Sequence, residues 1–178
     1  MSAYRQLTEK EIATLTVYGC TAESWEKVKV AEEFSASFVT NVHFSGEIEL
    51  GTFNKVFELA GGLKKHSGLN NCCLHNCTVG NDVFIDKIDN YIANYKIDDN
   101  SYIENVNLIL VDGVTAFGNG VKVPVMNEGG GREIPIFDWL SAPLAYILTL
   151  YRHRPKLIQN LQQLIDEYAN SQKSNKGY

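Results

Sequence analysis

A large apolar residue returns at every sixth position through the middle of this chain, and that spacing constrains the fold more than any other feature. Phe38, Phe44, Leu50 and Val56 form a first run. The register slips by one to Leu63 and Leu69, then slips again to Val79, Ile85, Tyr91, Ile97, Ile103 and Ile109. A last slip gives Val111, Phe117 and Val123. Four places after these anchors stand mostly small or β-branched residues, among them Val42, Ile48, Ser67, Cys73, Val83, Ser101 and Val121. Neither the period of a helix nor that of a half-buried strand accounts for a spacing of six.

A second pattern overlies the first. Val79-Gly80-Asn81-Asp82-Val83-Phe84-Ile85 returns eighteen residues later as Ile97-Asp98-Asp99-Asn100-Ser101-Tyr102-Ile103. Three sixes make one coil of a three-sided solenoid, so the two segments are expected one above the other, with the corner pairs Asn81/Asp99 and Asp82/Asn100 stacked. Each side needs one bulky residue pointing inward and one small residue near the corner, where Cys73 is expected. Each corner needs Gly, Asn or Asp, which tolerate positive φ. Stacking then buries a continuous apolar column that no single coil can bury alone. An antiparallel sandwich of short strands would tolerate the composition but would not produce the eighteen-residue echo.

The flanks read as helices. Thr8 with Glu11 is a capping box, Ile12 and Leu15 share a face, and Gly19 is a stop. A short turn is expected around Trp25 and Val28. Ser141-Ala142-Pro143 opens a helix reaching about Tyr151, and Pro155 opens another. In the latter, Leu157, Ile158, Leu161, Leu164, Ile165 and Tyr168 form one apolar stripe that needs a surface, either the side of the solenoid or a second subunit. The tail from Ser171 to Tyr178 is polar and expected to fray. The predicted organisation is a helical cap over residues 1–30, a mainly β solenoid over 31–135 and a helical segment over 136–178.

Bulk properties narrow the function classes. The 178 residues carry a formal net charge of -5, so no basic surplus draws the chain to nucleic acid. The first six residues do not read as a signal peptide. The most apolar stretch, Ile134 to Tyr151, is interrupted by Asp138, Ser141 and Pro143 and does not read as a membrane span. Three of the four cysteines, Cys72, Cys73 and Cys77, fall within six residues, a poor disulfide framework that fits a reducing compartment. A cytoplasmic location is the expectation.

Several segments resemble an uncharacterised family of bacterial hexapeptide-repeat proteins. They are Gly61 to Gly68, Leu74-His75-Asn76-Cys77, Asn90 to Tyr95, Gly130 to Pro135, and Tyr151-Arg152-His153-Arg154-Pro155. The resemblance covers essentially the whole chain. It implies a left-handed parallel β-helix, a handedness that the general rule for parallel crossovers does not supply. It also implies that this chain is the N-terminal portion of a longer protein. Hexapeptide folds include acyltransferases and the trimerising domains of sugar-nucleotide enzymes. That analogy implies a transferase-like protein acting on a small molecule, with acyl-CoA or a nucleotide sugar as donor and a homotrimer as assembly. The other readings are a non-catalytic scaffold or oligomerisation module, and a part of an enzyme whose site lies elsewhere.

Candidate chemistry centres on His66 and His75, since transfer to a hydroxyl or amine needs a base titrating near neutrality. Lys64, Lys65 and Asn76 lie in the same polar stretch, and the lysines could bind an anionic handle. Arg132, in the glycine-rich run Asn127 to Glu133, is the other expected anion-binding residue. That run lacks the P-loop and dinucleotide-binding spacings, and the reading it favours is a flexible exit loop from the solenoid. Arg152 and Arg154 read as cations favoured at a helix C-terminus. No metal is expected, because Cys73, His75 and Cys77 have no second ligand pair.

Overall fold

The computed structural model describes residues 4–126, 129–131 and 133–178. The chain divides into two units: one running to Asp112 and including Lys176–Tyr178, the other Gly113–Asn175. The first contains strands β1 (Tyr4–Gln6), β2 (Thr21–Ala22), β3 (Val28–Ala31), β4 (Val39–Ser45), β5 (Ile48–Leu50), β6 (Val56–Glu58), β7 (Lys64–His66), β8 (Gly68–His75), β9 (Thr78–Val79), β10 (Phe84–Ala93), β11 (Lys96–Ile97) and β12 (Tyr102–Leu110). Helix α1 (Glu9–Val17) lies between β1 and β2.

Ten of these strands make two sheets, ordered β1-β3-β5-β9-β11 and β12-β10-β8-β4-β2. Every pair in them is parallel except β1 with β3. This is a parallel β-solenoid. Val79 pairs with Ile97 and Ile85 with Ile103, so the eighteen-residue echo is the register of adjacent coils. The inward column is built from Phe44, Leu50, Leu69, Leu74, Ile85 and Ile92, all fully buried. Each such side chain contributes about 1.5–3 kcal/mol relative to exposure.

The coils turn at residues with positive φ, and these fall in columns. Asn41, Asn71, Lys87 and Asn105 follow the paired residues Thr40, Asn70, Asp86 and Glu104. Gly46, Asn76 and Asn94 follow Ser45, His75 and Ala93. Asp82 and Asn100 make the third corner. The sheet containing β8 therefore bends across the first column and covers two sides of the coil. Side-chain amides tie the columns vertically. Asn41 Nδ2 donates to Asn71 Oδ1 at 2.9 Å, and Asn71 Nδ2 donates to Asp86 Oδ1 at 3.0 Å. At the third corner the Asn81 N–H donates to Asp99 Oδ1 at 2.6 Å.

Three departures from a strict period explain the register slips. Val39, Leu69, Ile85 and Ile103 stack at intervals of thirty, sixteen and eighteen residues. The long coil carries an antiparallel hairpin of β6 and β7, where Val56 pairs with His66. Val56 and Leu63, expected as inward anchors, are 51% and 55% exposed there. Inward Ile85 and Ile92 of β10 are seven residues apart, where their partners Ile103 and Ile109 are six apart, so Tyr91 faces outward beside Leu108. Cys72, not Cys73, takes the inward place, because Val42 pairs with Cys72 and His43 with Cys73.

The expected boundaries shift accordingly. Sheet pairing begins with β1 and β2, before residue 31, and the last solenoid strand ends at Leu110, before residue 135. Phe117 and Val123 belong to the second unit. That unit holds the antiparallel pair β13 (Lys122–Val123) and β14 (Ile134–Pro135), and helices α2 (Ala142–Leu150) and α3 (Pro155–Ser171). Ile134, Leu148 and Ile165 form its centre, so part of the α3 stripe finds its surface on α2 and β14. Leu164, on the same stripe, is exposed. Buried Asn119 accepts the Asp138 N–H at 2.9 Å and donates to Asp138 Oδ2 at 3.2 Å.

The tail does not fray. Thr115 and Ser174 exchange backbone hydrogen bonds at 2.9 Å. Gly177 forms a parallel bridge with Tyr95, donating to Asn94 O and accepting from the Lys96 N–H, both at 2.8 Å. A Cβ on Gly177 would lie 2.3 Å from the Tyr95 ring, so glycine is required for this approach.

Two predictions follow from these contacts. A Cβ on Gly51 would sit 2.5 Å from the Gly80 carbonyl oxygen in the next coil, and backbone there cannot yield. Gly51→Ala is expected to lower unfolding stability by about 1–3 kcal/mol, read as a fall in the urea midpoint. At α1 the capping box is complete, and Arg5 reaches Glu11 at 2.8 Å. Hydrogen bonds from Arg5, then from Thr8, hold the Glu11 carboxyl at about 2, against an ordinary 4.5. A depressed folded-state value contributes stability that is full above the ordinary value and is lost as pH falls toward the folded one. Urea midpoints of the wild type should therefore drop as pH falls from about 4.5 toward 2, and Glu11→Gln should flatten that limb.

Candidate functional site

Beyond the first corner column, the side chains alternate in and out of the coil. Val42, Phe44, Cys72, Leu74, Ile88 and Ile92 point inward and are buried. The intervening residues of β4, β8 and β10 form the outer face. There a cleft of about 410 Å³ is lined by His43, Ser45, Cys73, His75, Tyr91, Ala93, Asn94 and Leu110. Of the expected site residues, His75 is in this lining. The pairing of Ser45 with His75, and of His43 with Cys73, brings together residues thirty apart.

The hydrogen bonds of His75 fix its tautomer. Asn94 Nδ2 donates to Val111 O at 2.8 Å, which leaves Asn94 Oδ1 to accept Asn76 Nδ2 at 3.3 Å. Asn76 Oδ1 accepts the Glu47 N–H at 3.0 Å. The ladder thus orients the Asn76 amide, whose Nδ2 also donates to His75 Nε2 at 2.9 Å. Nε2 must then be the acceptor, and the proton of the neutral ring sits on Nδ1 and is donated to Ser45 Oγ at 2.7 Å. In this state His75 does not withdraw the Ser45 proton, and its basic lone pair is already occupied.

The remaining expected residues lie apart from the cleft. His66 ends β7, stacks on Phe38 with ring centroids 4.0 Å apart, and engages Ser67 O through Nδ1 at 2.8 Å. A carbonyl only accepts, so Nδ1 is the donor. Lys64 faces Glu58 at 3.7 Å on the exposed hairpin. Lys65 pairs with Glu104 at 2.5 Å and lies over the Phe84 ring. Hydrogen bonds from Lys65 and then Tyr102 hold the Glu104 carboxyl below its ordinary pKa, and Glu104 in turn raises that of Lys65. Asn76 is a corner residue whose amide is spent on the ladder. Arg132 lies outside the described residues.

His43, Ser45, Cys73 and Tyr91 are cleft residues that reading the sequence missed. Their signal was weak, because the hairpin lengthens one coil to thirty residues and hides the vertical pairing. His43 Nδ1 bonds Thr21 Oγ1 at 2.8 Å, extending the polar row onto β2. Burial pushes the Cys73 thiol up, so it is no ready thiolate. Among the described residues, no cluster of three or more His, Cys, Asp or Glu is placed to hold a metal. No helix among them is long and apolar enough to cross a membrane.

These features define a β-solenoid protein with an outer-face cleft and an inserted helical unit. The chain belongs to a family described as a domain of unknown function, DUF4954, whose model matches residues 4–178. It is 24% identical over 182 residues to an uncharacterized protein of Treponema pallidum (strain Nichols), covering 96% of this chain and 25% of that relative. The chain thus spans about a quarter of the length of that relative. No solved structure matches it.

The tautomer is directly measurable. Two-bond ¹⁵N–¹H correlations are expected to show His75 with a pyrrole-type Nδ1 and a pyridine-type Nε2 at alkaline pH, and Asn76→Leu to release that preference. A wild-type Nε2–H form would contradict the ladder.

Proposed function

We propose that this segment is a stacked-coil scaffold within a longer protein, not a self-contained transferase. The return of Lys176–Tyr178 carries the reading. The chain leaves the solenoid after Asp112, builds the unit Gly113–Asn175, and rejoins at Gly177 in parallel beside Tyr95. The chain covers 25% of the relative it matches, which supports a longer protein around this segment. Two of the groups a transferase would use are already engaged, Lys65 by Glu104 and His75 by Ser45 and Asn76, while His66 keeps Nε2 but lies outside the cleft lining. A platform of stacked coils, each supported by its neighbours, suits presentation and assembly.

Transfer chemistry keeps one support, the position of His75 in a cleft beside the Ser45 hydroxyl. It would require Asn76 to release Nε2 so that an acceptor could be deprotonated there.

Two measurements separate the readings. Gly177→Val places a side chain against the Tyr95 ring and is expected to lower the melting temperature by several degrees, about 1–3 kcal/mol. An unchanged melt would remove the resumed coil from the argument. Incubation with acyl-CoA and small hydroxyl or amine acceptors is expected to release no free thiol. Release that His75→Ala abolishes would establish the transfer reading in its place.

A further inference from the structure

We infer that the cleft over His43 and Tyr91 is a binding site for an uncharged, hydroxyl-bearing ring of one or two sugar residues. This goes beyond the scaffold reading and stands on different observations. The first is the shape of β10. It has two residues more than β8 and one more than β12 before Ile92, and these interrupt the pairing on both sides. Pairing resumes at Tyr91 with Leu108, and Tyr91, next to inward Ile92, faces out at the cleft, 38% exposed. The irregular stretch of Asp89 and Asn90 thus borders the cleft directly, and bulges concentrate next to functional sites.

The second observation is the chemistry of the lining. Among the described residues it contains no Lys, Arg, Asp or Glu, so these residues supply a phosphate or carboxylate with no countercharge. Ala93, Leu110 and the Tyr91 ring supply apolar surface suited to the C–H face of a sugar. Neutral hydrogen-bonding groups stand among them. Ser45 Oγ accepts from His75 Nδ1, which leaves its own proton to donate. His43 uses Nδ1 on Thr21 and keeps Nε2. A sugar hydroxyl both donates and accepts, and this set offers both partners. The volume of about 410 Å³ lies toward the low end of small-molecule sites, which run from about 300 to 1,000 Å³.

Cys73 provides the probe. It lines the cleft and is partly exposed, whereas Cys20, Cys72 and Cys77 are buried. Alkylation of native protein by iodoacetamide at mildly alkaline pH, mapped by mass spectrometry, should therefore mark Cys73 first. The panel is glucose, N-acetylglucosamine, maltose and cellobiose, with glucose 6-phosphate and glucuronate as charged comparators. At twice its Kd, a ligand that blocks the reagent slows labelling about threefold. At least one neutral sugar is expected to protect saturably, while the charged comparators do not. Tyr91→Ala should abolish protection with the melting temperature unchanged. Should that variant melt lower, Tyr91→Phe must still show protection, since the ring face is what it contributes. The proposal is overturned if no neutral sugar protects Cys73, if a charged comparator protects equally, or if protection survives in a folded Tyr91→Ala.

Discussion

A chain that rounds a corner every five to seven residues must place a backbone turn at each corner, and in this solenoid the turns stand directly above one another. Positive φ at Asn41, Asn71, Asn76, Asn94, Asn100 and Asn105 is the local expression of that demand. Asparagine meets two needs at once. It tolerates the left-handed conformation better than other side-chain-bearing residues, and its short amide reaches the neighbouring coil. Asn41 to Asn71 and Asn76 to Asn94 are such contacts. Between corners the short sides need only alternate inward and outward, and the inward column of Phe44, Leu74 and Ile92 follows. Lys87 occupies a corner without the amide and bears the left-handed strain, about 1–2 kcal/mol. Its ammonium lies 3.9 Å from Glu104.

Where coils keep a regular length, the sequence is readable. The echo from Val79–Ile85 to Ile97–Ile103 maps residue for residue onto the pairing, because both coils contain the same count between corners. Legibility fails where residues are added, since a spacing rule has no means of telling an added hairpin from another side. Val56 and Leu63 hold the right interval yet lie on or beside the antiparallel β6–β7 pair. Tyr91 holds the right interval and points outward because β10 is longer than its neighbours. The candidate site suffered most. Its vertical partners lie thirty residues apart, so Ser45 and His43 gave no local signal, while His66 drew attention through closeness in sequence to His75.

The corner ladder also governs the chemistry of the face beside it. Val111 O dictates the orientation of Asn94, Asn94 that of Asn76, and Asn76 the protonated nitrogen of His75. A purely architectural row of amides thereby decides that Ser45 receives a hydrogen bond from the imidazole and does not give one up. The hydroxyl faces the cleft as a donor, suited to binding a neutral partner more than to attacking one. Histidine beside serine is therefore no sufficient sign of nucleophilic chemistry; the third partner sets the direction of the proton.

A solenoid accepts insertions more readily than a closed sheet does, because each coil touches only its neighbours. An inserted segment must return its ends to adjacent positions, and the loop-closure cost of that grows only with the logarithm of its length. Two insertions of different kinds illustrate this. The β6–β7 hairpin has an antiparallel ladder and anchors Lys65 over the aromatic pair Phe84 and Tyr102. The unit Gly113–Asn175 has its own apolar centre at Ile134, Leu148 and Ile165. Its ends are clamped by the Thr115–Ser174 pair, which holds the exit and the return together before Gly177 meets Tyr95. With that clamp formed inside the unit, the solenoid needs only the small Gly177 contact to recover its register.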